Sequence, residues 1–156
     1  MRLPKDFESY VREGMIRRTA INKERAGFFI NESEISYGGL KKRVGVMGID
    51  RENSNSIIKD CYDIILELIR AKLLLEGYVS SGNYAHEAEI SYLKVLGFGD
   101  NDLSFLNELR YNRNSIMYYG KLLDRDYAAL VFEYLEKIYN DLKLKVKNGK
   151  EGDELF

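Results

Sequence analysis

The chain has 156 residues, enough for one domain with a sizeable hydrophobic core, and 45% of them are hydrophobic. Charged residues make up 31% and nearly cancel to a formal net charge of −1, which argues against a strongly basic nucleic-acid module but allows a local basic patch. Residues 1–51 are the more basic part, with eleven Lys or Arg against seven Asp or Glu.

Glycines and clusters of Asn, Asp and Ser divide the chain into segments longer than ordinary strands, which favours an all-α fold. Helices are predicted over residues 6–16 and 20–44, with Gly38-Gly39 as the weakest point of the second. The two can also be read as one helix that continues through Arg17 and Arg18. After a loop over residues 45–55, the third predicted helix covers residues 56–76 and has the clearest apolar stripe, ending at Gly77.

A loop over residues 80–83 precedes a short predicted helix over residues 84–96. The next helix is expected to be capped by Asp100 or Asp102 and to end at Gly120, and the last begins at the predicted cap Asp124. The predicted architecture is an up-and-down bundle of five or six helices. We divide it into an N-terminal helical extension packed on the bundle (1–50), the bundle core (51–147) and a flexible tail (148–156).

The composition also bounds the chemistry and the location. The one cysteine, Cys61, allows no intramolecular disulfide and is expected in the core, with a catalytic thiol as the alternative. A reducing cytoplasm fits this use of cysteine. No segment is long and apolar enough for a membrane span. One His and one Cys offer little for a zinc site, and no Gly-rich phosphate loop is present, so we expect no metal and no cofactor.

Arg113 is the most informative residue of the sequence. In helical geometry it falls within the apolar stripe of Leu106, Leu109, Ile116 and Met117. An unpaired buried guanidinium costs several kcal/mol, roughly the stability margin of a domain. We therefore expect a polar partner, a groove or a subunit interface at Arg113.

The Arg113 segment resembles the HEPN superfamily, helical domains marked by Arg, often a following polar residue such as Asn, and then His. Arg113-Asn114 matches the first half of that motif, while the His position falls on Tyr118 or Tyr119. The helix and Gly-aromatic turn over 62–78 and the His-containing helix entry over 86–90 also look similar, and the resemblance covers about residues 55–142.

The resemblance implies metal-independent RNA cleavage or nucleotide binding, often in a homodimer and in a toxin–antitoxin pair with a nucleotidyltransferase. In this interpretation Arg113, Asn114, Tyr118 and Tyr119 form the candidate catalytic site. Arg113 would hold phosphate charge and Asn114 would orient the phosphate or the ribose. A tyrosine, with a pKa of about 10, is a poor base at neutral pH, but it can donate a hydrogen bond or stack on a base.

Two further groups are candidates for RNA contact. Arg110 and His86 join Arg113 as predicted nucleic-acid-binding residues, with His86 as a substitute base if its loop folds towards Arg113. The alternative for His86 is a surface or capping role. By charge, the basic stretches that include Arg18 and Arg25 are also candidates, although a solvated helix face is the competing interpretation.

A structural interpretation competes with all of these. Arg113 can pair with a buried acid such as Glu67 or Asp63, and Tyr118 and Tyr119 can be ordinary packing at a helix end. In that case the chain is a non-catalytic helical dimerisation or interaction subunit that partners a nucleotidyltransferase.

Overall fold

The computed structural model describes residues 2–148, so the predicted tail, apart from Asn148, lies outside the described residues. Within that range the prediction of an all-α bundle is confirmed, with one small sheet added. Among these residues no helix combines the length and the apolarity needed to cross a bilayer. The elements in chain order are α1 Phe7–Arg12, β1 Ile16–Arg18, α2 Lys23–Met47, α3 Ser54–Leu75, β2 Tyr78–Ser80, α4 Ala85–Val95, α5 Asp100–Tyr119 and α6 Arg125–Lys147.

Helix α3 is the central element of the bundle and packs against α2, α4, α5 and α6. Its sequence is apolar around most of its circumference, as expected for a helix with neighbours on all sides. The predicted stripe is confirmed, because each of its members is at most 2% exposed: Ile58, Cys61, Ile65, Leu68, Ile69 and Leu73. Burial also raises the pKa of the Cys61 thiol, which keeps it protonated and fits a core role.

Helix α2 lies along α3 and contributes to the same core. It begins after Asn22, whose side chain accepts a hydrogen bond from the Arg25 N–H at 3.0 Å. It runs without a break past the predicted weak point, Gly38-Gly39, to Met47. Packing of its buried face against α3 thus outweighs the low helix propensity of these glycines.

The structure corrects the prediction of a helix that extends to residue 16 or continues through Arg17 and Arg18. Helix α1 ends at Arg12, Gly14 has a φ of 82°, and Ile16–Arg18 pairs antiparallel with Tyr78–Ser80. Gly77 makes this pairing feasible, since its φ is 78° and a Cβ there would lie 2.9 Å from the Thr19 carbonyl oxygen. The short strands are stabilised by a distant partner, which periodicity within one segment does not reveal.

The ends of α5 and α6 are only partly as predicted. Gly120, with a φ of 63°, ends α5, and the Asp124 side chain caps α6 by accepting from the Tyr127 N–H at 2.8 Å. The prediction that Asp100 or Asp102 caps α5 is wrong, because Gly99 holds the N-cap position. Asp102 instead accepts a hydrogen bond from the Tyr134 hydroxyl at 2.8 Å and so links α5 to α6.

Candidate functional site

Ionisable and hydrogen-bonding side chains from α3, α4 and α5 form one connected group that contains Arg70 and Arg113. Apart from the adjacent pair Tyr62 and Asp63, the contributing residues of each helix are three or four positions apart, which places them on one helix face. We call this group the Arg113 cluster: Tyr62, Asp63, Glu67 and Arg70 on α3, His86 and Glu89 on α4, and Arg110 and Arg113 on α5.

Arg113 lies on the inner face of α5, as the apolar stripe predicted, and its side chain is 18% exposed. Its guanidinium carbon lies 5.5 Å from the centre of the Tyr62 ring. Its carboxylate partner is Asp63, with 3.5 Å between Nη2 and Oδ1, but the Asp63 side chain is 51% exposed. The buried Nε of Arg113 has no acceptor within the described residues. The charge is therefore only partly compensated, and Glu67 is not the partner.

Arg70 is held far more tightly than Arg113. Its Nε donates to Oε2 of Glu89 at 2.5 Å, and the Glu89 side chain is 1% exposed. Burial raises the pKa of Glu89, and the neighbouring charge and hydrogen bond of Arg70 oppose that rise. Arg70 also reaches His86, with 3.1 Å between Nη2 and Nε2.

His86 is half-buried within the cluster and does not cap α4, where Tyr84 holds the N-cap position. A guanidinium only donates, so Nε2 of His86 accepts from Arg70, and the neutral ring carries its proton on Nδ1. That proton is donated to the Tyr62 hydroxyl oxygen, 3.1 Å away. Burial, followed by the charges of Arg70, Arg113 and Arg110, lowers the pKa of His86 to about 4. His86 is thus neutral at pH 7 and a weak proton acceptor.

Glu67 is the group in the cluster whose protonation changes near neutral pH. Burial raises its pKa to about 7, and the charges of Asp63 and Glu32 add to the rise. Its Oε2 is buried without a hydrogen-bond partner within residues 2–148. It lies one helical turn from Asp63, the residue that contacts Arg113. A carboxyl group with this pKa can exchange a proton at neutral pH.

Arg110 adds a third guanidinium to the cluster. Its Nε donates to the Asn107 side-chain oxygen at 3.1 Å, which fixes its direction without neutralising its charge. Three guanidiniums therefore share this region with the carboxyl groups of Glu89, Asp63 and Glu67, and Glu89 is already bonded to Arg70. Because the pKa of Glu67 is about 7, part of the positive charge of Arg110 and Arg113 is uncompensated near neutral pH, which suits an anion.

The structure does not bring the two tyrosines at the motif His position into the cluster. Tyr118 is 75% exposed and Tyr119 is 84% exposed, and both lie in the last turn of an unbroken α5. Met117, predicted to lie in the buried stripe, is 51% exposed. Asn114 is half-buried and adjacent to Arg113 in the chain. Within one chain, Arg113 is therefore combined with Arg110 and His86 and not with Tyr118 or Tyr119.

The sequence analysis did not predict three residues of the cluster as site residues: Tyr62, Arg70 and Glu89. Asp63, Glu67 and Arg70 are four and three residues apart on a largely apolar helix. This spacing places three ionisable side chains on one helix face and could have predicted a polar site there. Glu89 is an acid between the buried Ala88 and Ile90, and this apolar setting was a usable signal for a buried ion pair.

The cluster contains no group of metal ligands, since no set of three or more His, Cys, Asp or Glu within residues 2–148 is placed to hold a metal ion. Comparison of the chain with protein-family models, curated proteins and solved structures finds no match.

Proposed function

We propose that this chain is a HEPN-like protein whose Arg113 cluster binds an RNA phosphate, with degenerate, metal-independent RNA cleavage as its chemistry. The supporting observation is the state of Arg113. Its guanidinium is largely buried, its Nε has no acceptor in the described part of the chain, and its one carboxylate contact is a half-exposed Asp63 at 3.5 Å. A phosphate oxygen is a strong acceptor for such a donor, and Arg110 adds a second cation.

The proton chemistry is assigned to Glu67. In metal-free cleavage the ribose 2′-oxygen attacks the phosphorus, and the bond from phosphorus to the 5′-oxygen breaks. The 2′-hydroxyl proton passes to the Glu67 carboxylate, the leaving 5′-oxygen takes a proton from solvent, and Arg113 stabilises the charge on the phosphorane. The pKa of Glu67, about 7, suits this task, whereas His86, with a pKa of about 4, is a weaker base at neutral pH.

The experiment measures binding and cleavage of a fluorescent RNA pool in EDTA. The variants are Arg113→Ala, Arg113→Lys and Glu67→Gln. Arg51→Ala is the matched control, since Arg51 is an exposed arginine in the loop before α3. Thermal unfolding of each variant shows whether it is folded.

We expect Arg113→Ala to bind RNA about tenfold more weakly, because a charge-assisted hydrogen bond is lost. Arg113→Lys should recover part of the binding, since it keeps the charge but not the planar fork. Glu67→Gln should keep binding and lose cleavage. Equal binding by folded Arg113→Ala and wild type would refute the proposal, and absence of cleavage by folded wild type would remove its catalytic part.

A second candidate is a non-catalytic interaction subunit, and exposed apolar side chains favour it. The end of α5 and the loop after it present Met117, Tyr118, Tyr119 and Leu122, each at least 51% exposed. Such a surface suits a second copy of the chain, a nucleotidyltransferase or another protein partner in a toxin–antitoxin pair, in a cytoplasmic setting. In a homodimer, Tyr118 or Tyr119 of one copy would face the Arg113 cluster of the other.

Light scattering tests this second candidate. Wild type is compared with Tyr118→Ser/Tyr119→Ser, and Tyr111→Ser serves as the control, since Tyr111 is a 55% exposed tyrosine earlier on α5. A dimer that the double variant dissociates supports an interaction surface at the end of α5. A monomeric wild type, or a dimer unaffected by the double variant, refutes self-association through these tyrosines.

A further inference from the structure

A second cationic feature lies between α2, α3 and the small sheet. A cleft of about 240 Å³ is open to solvent there, and we call it the α2–β2 cleft. Leu73 and Leu74 of α3, which are 2% and 7% exposed, also line it. Its other lining side chains include Arg25, Phe29, Arg70 and Tyr78.

The cations at this cleft are placed over aromatic rings. The guanidinium carbon of Arg25 lies 5.5 Å from the centre of the Phe29 ring, and that of Arg18 lies 4.8 Å from the centre of the Tyr78 ring. Both arginines are exposed, and neither forms an ion pair with a carboxylate of residues 2–148. Their charges are free to meet an anion.

The fold, and not a shared helix face, brings these groups together. Arg18 lies on β1 and is paired in register with Tyr78 of β2, while Arg25 lies in the first turn of α2. The helix-face interpretation is therefore wrong for Arg18, which lies on a strand. Arg25 lines the α2–β2 cleft, and Arg18 lies beside it through its contact with Tyr78.

The chemistry of the cleft matches one class of ligand. Aromatic rings accept a planar base by stacking, and guanidiniums accept a phosphate. We propose that the α2–β2 cleft binds a nucleotide, with its base against Phe29 and Tyr78 and its phosphate at Arg25. The same unit can be a free nucleotide or one residue of an RNA chain.

This site is distinct from the phosphate site assigned to Arg113. Arg70 lines the cleft and also belongs to the Arg113 cluster through Glu89 and His86, so the two regions are neighbours that share one residue. Nucleotide binding in the cleft does not require RNA cleavage, and it is tested with variants that leave the Arg113 cluster intact.

The probes are adenosine monophosphate alone and a short RNA oligomer, each titrated by calorimetry into the full chain. The variants are Arg25→Gln and Phe29→Leu, which keep similar volume and, at position 29, apolar contact with the core. Lys23→Gln and Phe28→Leu are the matched controls, because Lys23 is an exposed cation near Arg25 and Phe28 is the 59% exposed neighbour of Phe29, and neither lines the cleft.

We expect Arg25→Gln to weaken binding about tenfold through the loss of a charge-assisted hydrogen bond, and Phe29→Leu to weaken it about fivefold or more through lost stacking. Both control variants and Arg113→Ala should bind the nucleotide as wild type does. Binding of the monophosphate alone assigns the site to a free nucleotide. Binding that needs the oligomer assigns it to an RNA residue.

Three results overturn the proposal. The first is that folded wild type binds neither probe at millimolar concentration. The second is that Arg25→Gln and Phe29→Leu bind as tightly as their controls. The third is that Arg113→Ala removes nucleotide binding while the two cleft variants keep it, which places the ligand at the Arg113 cluster alone and leaves the function proposed for that cluster standing.

Discussion

Arg70, on the α4 side of the Arg113 cluster, and Arg113, on the α5 side, differ in how completely their charges are paired. On the α4 side, Arg70 is bonded to the buried Glu89 at 2.5 Å and to His86 at 3.1 Å. On the α5 side, Arg113 has one contact of 3.5 Å with the half-exposed Asp63, and its Nε has no acceptor in the described residues. Arg70 therefore forms a structural ion pair with a buried partner, whereas Arg113 keeps a hydrogen-bond donor that no residue of the described chain accepts from.

The more exposed arginine is the better paired one, since the Arg70 side chain is 33% exposed and that of Arg113 is 18% exposed. A buried ion pair is costly to break from one side, because the remaining charge is stranded. A cation that is held mainly by packing can be removed at lower cost, and what is lost is its capacity to bind an anion. Burial alone does not separate these cases; the partners do.

The largest change in the free energy of unfolding is expected when the Arg70–Glu89 ion pair on the α4 side is removed. Arg70→Ala leaves the Glu89 carboxylate, 1% exposed, without its cation and should lower the free energy of unfolding at pH 8 by about 3 kcal/mol. At pH 5 the loss should shrink, because burial favours protonation of the stranded Glu89. Urea unfolding at both pH values measures these two losses.

The control is Arg43→Ala, which removes the exposed Arg43–Asp60 pair and should lower the free energy of unfolding by less than about 1 kcal/mol. A loss for Arg70→Ala no larger than that for Arg43→Ala would contradict the description of Arg70–Glu89 as a costly buried ion pair.

The next effect sharpens the comparison from the α5 side. Arg113→Ala should lower the free energy of unfolding by only about 1 kcal/mol, because it removes a loose contact with Asp63 and a cation–π contact with Tyr62. The same urea experiment measures it. A loss as large as that of Arg70→Ala would make Arg113 a structural ion pair and would favour the non-catalytic interpretation.

Glu67 gives a smaller effect with a defined sign. Its pKa of about 7 in the folded chain lies above its ordinary value of 4.5, so between pH 4.5 and 7 the folded state binds more protons than the unfolded state. Glu67 therefore lowers stability as pH rises through that range. Partial access to solvent limits the effect to about 1 kcal/mol.

The measurement is the difference between wild type and Glu67→Gln. The glutamine variant should gain about 1 kcal/mol relative to wild type between pH 4.5 and pH 8, as measured by urea unfolding. The difference between the two proteins is needed because His86 also contributes to the pH dependence. The lowered pKa of His86 makes the folded protein less stable as pH falls from about 6.5 to about 4, which is opposite to the effect of Glu67. A pH-independent difference would place the pKa of Glu67 at its ordinary value.

The smallest effect is expected outside the cluster. Tyr118→Ser removes a side chain that is 75% exposed and should change the free energy of unfolding by less than about 0.5 kcal/mol. A loss above about 2 kcal/mol in dilute solution would mean that Tyr118 is covered, by the chain itself or by a second copy.

The sequence predicted those features that depend on local periodicity. The α3 stripe and the inward position of Arg113 follow from helical spacing, and the end of α5 follows from the glycine at position 120; all three are observed. The pairing of β1 with β2 was missed because each strand has three residues and its partner is more than 50 residues away. No periodic pattern exists in segments so short.

The residues of the site could be predicted only in part, because helical spacing reveals neighbours on one helix and not neighbours on different helices. Arg110 and Arg113 share a helix face in the sequence, and the structure places His86 near both of them. Arg70 and Glu89 lie on different helices, so their ion pair depends on how α3 packs against α4. Tyr118 and Tyr119 were chosen by motif position, while their exposure is set by the end of the bundle at which α5 terminates.

Arg110 and Arg113 place positive charge near His86, and in the proposed function an RNA phosphate neutralises it. The chain has one histidine, so an NMR titration of its imidazole reports this site without ambiguity. We predict a His86 pKa of about 4 in the free protein and a clear rise when a short RNA oligomer is bound in EDTA. A pKa near the ordinary value of 6.5 in the free protein, or a pKa that RNA leaves unchanged, would contradict the account.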